Sequence, residues 1–193
     1  MTVTTADRRT TILEAATSLM AEHGSRGTSI AAVADRAGLT DAGVLYHFKT
    51  KKDLLLAVVE RFDAQVERSL AEDGPSGIEL LRATREWGVG MEQVPEIQSL
   101  LIVLTAEQLH EDGPARRYLS RRYRRLLRRY ATAFAEAAAA GDLRGDLDPD
   151  FEASAFIAHL DGIRFQWFLL DRQISMADSV RNYVDTTLRR LAP

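Results

Sequence analysis

An all-α protein is what this sequence predicts, on three observations. Apolar residues recur at three- and four-residue spacing along almost the whole chain. Glycine and proline fall between those stretches rather than inside them, and the valines and isoleucines never settle into the alternation of a strand. Nine helices result, with no internal repeat and no low-complexity segment beyond the short alanine run Ala137 to Ala140.

The first helix carries Ile12, Ala15, Ala16 and Leu19 on one face, and Gly24 gives it a stop. Thr28 is the expected N-cap of the second, whose Ile30, Val33, Ala34 and Ala37 repeat that spacing before Gly38 ends it. Thr40 caps a short third helix from Asp41 to about His47. Thr50 caps a fourth that starts at Lys51, carries Leu54, Leu55, Val58, Val59 and Phe62, and runs to about Ala71. Asp73-Gly74-Pro75-Ser76-Gly77 is a loop by its turn chemistry. Five further helices fit Ile78 to Gln93, Glu96 to Glu111, Pro114 to Ala140, Pro149 to Asp171 and Ser175 to Leu191. The breakers Pro95, Gly113-Pro114, Gly141 and Gly145 through Pro149 separate them.

With 193 residues, 46% of them hydrophobic and 27% charged, the chain is long enough to bury a core without covalent staples. It has no cysteine, which excludes disulfides, thiolate metal sites and a cysteine nucleophile, and which suits a reducing compartment. The apolar stretch Leu100 to Ala106 falls far short of the ~20 residues that span a bilayer. Met1 to Thr11 is polar and carries Asp7, Arg8 and Arg9, unlike a signal peptide. The expectation is a cytoplasmic protein with no membrane partner. A net charge of -3 argues against nucleic acid if taken alone, but charge placement says more. The three lysines, Lys49, Lys51 and Lys52, lie within four positions, and eight arginines fall between Arg116 and Arg129. The arginine run is either a solvated helix face or an anion surface, and composition leaves both open.

Thr28 to Lys52 is the most informative stretch. Its two short helices meet at Ala37-Gly38-Leu39, with small Ala34 and Ala37 on the first and Val44 packing back from the second. Small residues permit a steep, close crossing, and glycine accepts the turn, so a helix-turn-helix fits, as does an ordinary helical hairpin. The residues next along the chain favour nucleic acid. Tyr46, His47, Lys49, Lys51 and Lys52 bring a hydroxyl, an imidazole and three ammonium groups just past the short helix, beside a capped helix start suited to an anion.

On these residues the chain resembles the TetR family of transcriptional regulators. The carrying motifs are G-x-x-x-T-S-I-A-x-V-A at Gly24 to Ala34 and A-G-L-T-x-A-G-V-L-Y-H-F-x-x-K-x-x-L at Ala37 to Leu54. The resemblance implies a three-helix DNA-binding domain over residues 1–50 and a helical ligand-binding and dimerisation domain over 51–193, joined through the fourth helix. It implies a homodimer on double-stranded operator DNA and a small-molecule effector, with no cofactor. Thr28 is then a phosphate contact at the start of the second helix. Thr40, Asp41, Ala42 and Gly43 face the bases, and Tyr46, His47 and Lys51 the phosphate backbone. Leu45 stands where the family often has tyrosine, with the hydroxyl supplied one position later by Tyr46. Asp41 can accept from a cytosine amino group or simply oppose the helix dipole.

A local match, G-D-L-R-x-D-L-D-P at Gly141 to Pro149 together with D-G-I-R-F-Q-W at Asp161 to Trp167, extends the resemblance to the eighth helix. In the family the eighth and ninth helices build the dimer. The small residues Ala155, Ala158 and Gly162 share a face of the eighth, and Met176, Val180, Tyr183, Val184 and Leu188 form an apolar stripe on the ninth. Core packing within one subunit is the alternative for either stripe. Large aromatics and lone polar groups expected on inward faces make Trp87, Met91, Leu104, Gln108, Tyr123, Leu127, Tyr130, Phe134, Phe156, His159 and Trp167 candidate pocket residues for an apolar or aromatic ligand.

Enzyme readings find little support. Glu107 and His110 form half of a bundle di-iron motif, but no second Glu-x-x-His pair exists. Nucleotide loops, zinc motifs and serine elbows are missing too, so neither catalytic nor metal residues are expected. The competing class is a helical small-ligand-binding protein without DNA function.

Overall fold

The computed structural model describes residues 5–69 and 74–193. Among them every regular element is helical: α1 (Thr5–Gly27), α2 (Ile30–Ala37), α3 (Asp41–His47), α4 (Lys51–Ser69), α5 (Gly77–Ala83), a 3-10 turn (Thr84–Glu86), α6 (Trp87–Glu92), α7 (Pro95–Gln108), α8 (Pro114–Ala139), α9 (Pro149–Leu169) and α10 (Met176–Arg190). The nine expected helical segments are all there. The fifth, expected as one helix from Ile78 to Gln93, is divided by the 3-10 turn into α5 and α6. The expected end of the fourth helix near Ala71 and the loop start at Asp73 lie outside the described residues.

Packing divides the chain into two compact units, one of residues 1–68 and 96–120, the other of 69–95 and 121–193. These units cut the chain elsewhere than the functional boundary expected at residue 50. The reason lies in the core of the first unit. Ile12, Ala16 and Met20 of α1 and Leu54 and Val58 of α4 join Leu100, Leu101 and Leu104 of α7 and Leu119 of α8 in one buried cluster. The helix-turn-helix therefore stands on a platform that includes α7 and the first turns of α8.

The second unit is built around Phe134, Phe156, Leu81, Met176, Val180 and Val184. Its helix ends are closely specified. Asp148 caps α9 by accepting from the N–H groups of Asp150 (3.0 Å) and Phe151 (3.2 Å). Gly141, at φ 79°, ends α8 in the left-handed conformation, and the N–H of Asp142 returns to the carbonyl of Ala137 (2.9 Å). The Gly141 to Pro149 motif is thus turn and cap chemistry. The N-terminus of α10 is capped twice, because Ser175 accepts from the Asp178 N–H while the Glu92 carboxylate of α6 takes the N–H groups of Met176 (2.7 Å) and Ala177 (3.1 Å). Gly88 allows α6 to come that close: a Cβ there would lie 2.8 Å from Ala177 Cα. Between α9 and α10, buried Glu152 receives both guanidinium nitrogens of Arg190 at 2.9 and 2.6 Å, which raises the Arg190 pKa above its ordinary value.

Candidate nucleic-acid interface

Helix α2 ends in a Schellman-type turn. Gly38 adopts φ 66°, and the N–H of Leu39 bonds the carbonyl of Ala34 at 2.9 Å. That turn swings the chain so that Val44 of α3 is fully buried against Val33 and Ala34. Thr40 caps α3 through the N–H of Gly43 (3.1 Å). With Val44 inward, the opposite face of α3 is fixed: Asp41, Ala42, Leu45 and Tyr46 are exposed, Tyr46 to 70%. A Cβ at Gly43 would meet only ordinary contacts, 3.4 Å to Thr40 Oγ1 and 3.7 Å to Leu39 Cβ, so nothing inside the chain requires glycine there.

Beyond α3, Lys49 lies 5.7 Å from the centre of the Tyr46 ring, and His47 meets that ring edge-on at 5.3 Å. Phe48 is buried and carries the Arg9 guanidinium over its ring at 5.0 Å. The start of α4 is a reciprocal capping box: Thr50 Oγ1 accepts from the Asp53 N–H (3.1 Å), and Asp53 Oδ2 accepts from the Thr50 N–H (3.0 Å) and hydroxyl (2.9 Å). Lys51 and Lys52 lie between its two residues. The result is one outward surface carrying Tyr46, His47 and three ammonium groups around a helix N-terminus, with the Asp53 carboxylate turned back onto Thr50 as its cap.

Thr28 stands differently from expectation. It is 2% exposed, its hydroxyl donates to the Gly24 carbonyl (2.9 Å), and the N-cap of α2 is Ser29, which accepts from the Ala32 N–H at 3.0 Å. The Thr28 hydroxyl is thus committed inward, while Ser29 is exposed. Two adjacent hydroxyl residues ahead of an apolar helix face look alike in sequence, which is why the expected cap falls one residue early.

The candidate pocket residues divide between the two units. Leu104 and Gln108 are buried in the first. Trp87, Met91, Tyr123, Leu127, Tyr130, Phe134, Phe156 and Trp167 belong to the core of the second. Both tyrosine hydroxyls have partners: Tyr130 OH meets Thr84 Oγ1 at 2.9 Å, and Tyr123 OH donates to Asp161 at 2.8 Å, where Arg164 also binds at 2.6 Å. Burial pushes both tyrosine pKa values up. His159 departs from the inward position expected of it. It lies at the surface of α9, stacked on Tyr183 at 3.5 Å, and partial burial there pushes its pKa down.

The expected interface stripe on α10 is also corrected in part. Met176, Val180 and Val184 are fully buried in their own unit's core, and Tyr183 and Leu188 are half-buried against it, so that stripe has little to offer a partner. Helix α9 is different. Its inward face is core, yet Phe151, Ala155, Ala158, Gly162, Phe165 and Leu169 form an outward row at alternating four- and three-residue spacing, with the two phenylalanines and Leu169 exposed by 64, 52 and 67%. Helix α9 thus carries apolar residues on both faces.

Residues 12–58 match the family model of bacterial regulatory proteins of the tetR family, and residues 91–193 match the C-terminal model of BetI-type transcriptional repressors. The chain belongs to the TetR family. One relative of this TetR-family chain is the transcriptional repressor Rv3405c of Mycobacterium tuberculosis, 39% identical over 67 residues. The matched segment covers 35% of this chain and spans 36% of that repressor. Among solved structures, a regulator from Saccharomonospora viridis in complex with choline is 25% identical, with a TM-score of 0.80 over 95% of this chain and 96% of that one. AibR, in complex with isovaleryl coenzyme A and operator DNA, shares the fold at 24% identity and a TM-score of 0.74, over 96% of this chain and 98% of its own. No helix of the described residues is long and apolar enough to cross a membrane, and no group of three or more His, Asp or Glu residues is placed to hold a metal. Glu107, from the di-iron half-motif, instead accepts hydrogen bonds from Ser25 and Arg26 of α1.

Proposed function

We propose that this TetR-family chain is a cytoplasmic repressor that binds a near-palindromic operator as a homodimer and answers to a small apolar or aromatic effector. Residues 1–50 serve as the reading head, and residues 51–193 as the ligand and dimer region. The observation that carries the DNA reading is the outward surface of α3 and the start of α4. Asp41, Ala42 and Gly43 approach the bases from the helix that Thr40 caps, while Ser29, Tyr46, His47, Lys49 and Lys51 address phosphates. The room left at Gly43 suits a close backbone approach to DNA, since no residue of the chain fills it.

Lys51→Ala is expected to weaken binding to all duplexes alike and to flatten the slope of log affinity against log salt by about one. Tyr46→Ala weakens all duplexes alike with little change of slope, because its hydroxyl is uncharged. Fluorescence anisotropy with labelled duplexes at several salt concentrations measures both. A change of base preference at constant slope for Lys51→Ala would reverse the assignment, and a wild-type chain that binds no duplex at any ionic strength would be the helical ligand binder instead.

For the effector, support comes from the aromatic core of the second unit, which holds Trp87 half-buried and Trp167 buried beside Phe168 and Arg172. Choline, isovaleryl coenzyme A and apolar aromatic compounds are therefore expected to be distinguishable by tryptophan emission, with the active class also changing DNA affinity by 5- to 150-fold, the range of ordinary allosteric couplings. A compound that alters both tryptophans and leaves DNA affinity unchanged would uncouple the pocket from the head.

A further inference from the structure

Helix α1 is broken at Gly24 (φ 71°, ψ 170°), and its last residues, Ser25 to Gly27, form a separate turn. Both ends of that turn are held. At its start, the Glu107 carboxylate of α7 accepts the N–H of Ser25 at 3.0 Å, the Ser25 hydroxyl, and the N–H of Arg26 at 3.4 Å. At its end, the Arg26 carbonyl accepts the Lys51 ammonium at 3.3 Å. The Gly24 carbonyl takes the hydroxyl of Thr28, one residue before the cap of α2. Glycine at 24 supplies both the left-handed conformation and the clearance, because a Cβ there would lie 2.7 Å from Glu107 Oε1. An anion at the N–H end and a cation at the carbonyl end polarise the turn in the same sense, so each hydrogen bond strengthens the other.

We propose that Glu107 is a positioning residue for DNA binding. By clamping the Ser25–Arg26 turn it fixes the carbonyl on which Lys51 is poised, and so sets where that ammonium meets the phosphate backbone. This rests on the reading of Lys51 as a phosphate contact. Glu107 lies in the segment matched by the C-terminal repressor model, while the turn and Lys51 belong to the segment of the N-terminal one. The position of a DNA-contacting charge is therefore set by a carboxylate on α7, a handle outside the helix-turn-helix itself.

The test is a double-mutant cycle on the full-length protein, using a fluorescein-labelled duplex of random sequence from about 50 to 200 mM salt, since phosphate contacts need no particular sequence. Glu107→Gln keeps size and shape but loses the charge. Its expected effect is an affinity loss of about 3- to 10-fold at low salt and a slope flattened by about one, as for Lys51→Ala. In the Lys51→Ala background the same substitution should change neither quantity. Ser25→Ala, which removes one donor and leaves the backbone ones, should move both in the same direction by less, and it keeps the test open if Glu107→Gln unfolds. Glu111→Gln, which loses only the exposed pairing with the Arg26 side chain, should bind as wild type. Wild-type slopes for both Glu107→Gln and Ser25→Ala, or full additivity with Lys51→Ala, would overturn the role of Glu107. A wild-type protein with no salt-dependent binding would overturn the DNA reading and this inference with it.

Discussion

Phe165→Glu combined with Leu169→Glu is expected to turn the protein into a folded monomer that no longer holds a palindromic duplex. Both side chains stand more than half exposed on the outer row of α9, so neither supports the core of its own subunit. In a two-fold dimer the row faces its own copy, where the bulky Phe151, Phe165 and Leu169 flank the small stretch Ala155, Ala158 and Gly162 and permit close helix approach. Burying one such apolar side chain stabilises by about 1.5–3 kcal/mol, and a two-fold axis counts each loss twice. Two side chains from each subunit then amount to about 6–12 kcal/mol, and losing even about 4 kcal/mol of that corresponds to roughly a thousandfold weaker dimerisation. Two heads must enter major grooves about 34–36 Å apart, so operator affinity falls with the dimer. Gly162→Leu approaches the same question without charge. Its Cβ meets nothing within 4 Å in its own chain, so the subunit folds while the new side chain pushes the seam apart. Light scattering reads the mass and anisotropy the binding; dimers of wild-type DNA affinity from both variants would place the interface elsewhere.

How far the sequence carries these assignments depends on the range over which each is decided. The head is legible because it is encoded locally: Gly38 in the left-handed turn, Thr40 within three residues of the N–H it caps, and Val44 one helical face from Tyr46. The same holds for Asp148 ahead of α9 and Gly141 after α8. What stays hidden is settled at long range. Glu107 finds Ser25 across 82 positions, and no local pattern marks it as anything but half of a helical Glu-x-x-His pair. The close approach of Gly88 to the backbone of Ala177 likewise joins positions far apart along the chain. Helix α9 defeats periodicity for another reason. With apolar residues on both faces, spacing reveals two stripes without saying which the subunit keeps, and only the burial of Phe156, Leu160 and Trp167 shows which one its own core takes.

Phe156→Ala should be the most damaging single substitution in the second unit. The ring is fully buried where α8, α9 and α10 meet, with centroids 5.2 Å from Tyr130, 5.8 Å from Phe134 in an edge-on arrangement and 5.4 Å from Tyr183. Removing it forfeits the transfer energy of the ring and three aromatic contacts and leaves a cavity that its neighbours cannot readily close. Phe134 is itself fully buried, and Tyr130 is tethered through its hydroxyl to Thr84. Such truncations cost about 3–5 kcal/mol, a large share of the 5–15 kcal/mol that holds a typical domain. For a chain of this length each kcal/mol lowers the melting temperature by about 2–4 °C, so a drop of roughly 6–20 °C is expected at fixed protein concentration. Phe151→Ala, on the exposed row of the same helix, should leave the melting of a monomeric variant nearly unchanged, because its ring stands exposed in its own subunit. Equal losses from the two substitutions in the Phe165→Glu, Leu169→Glu background would mean that the two faces of α9 do not divide their work between subunit core and dimer.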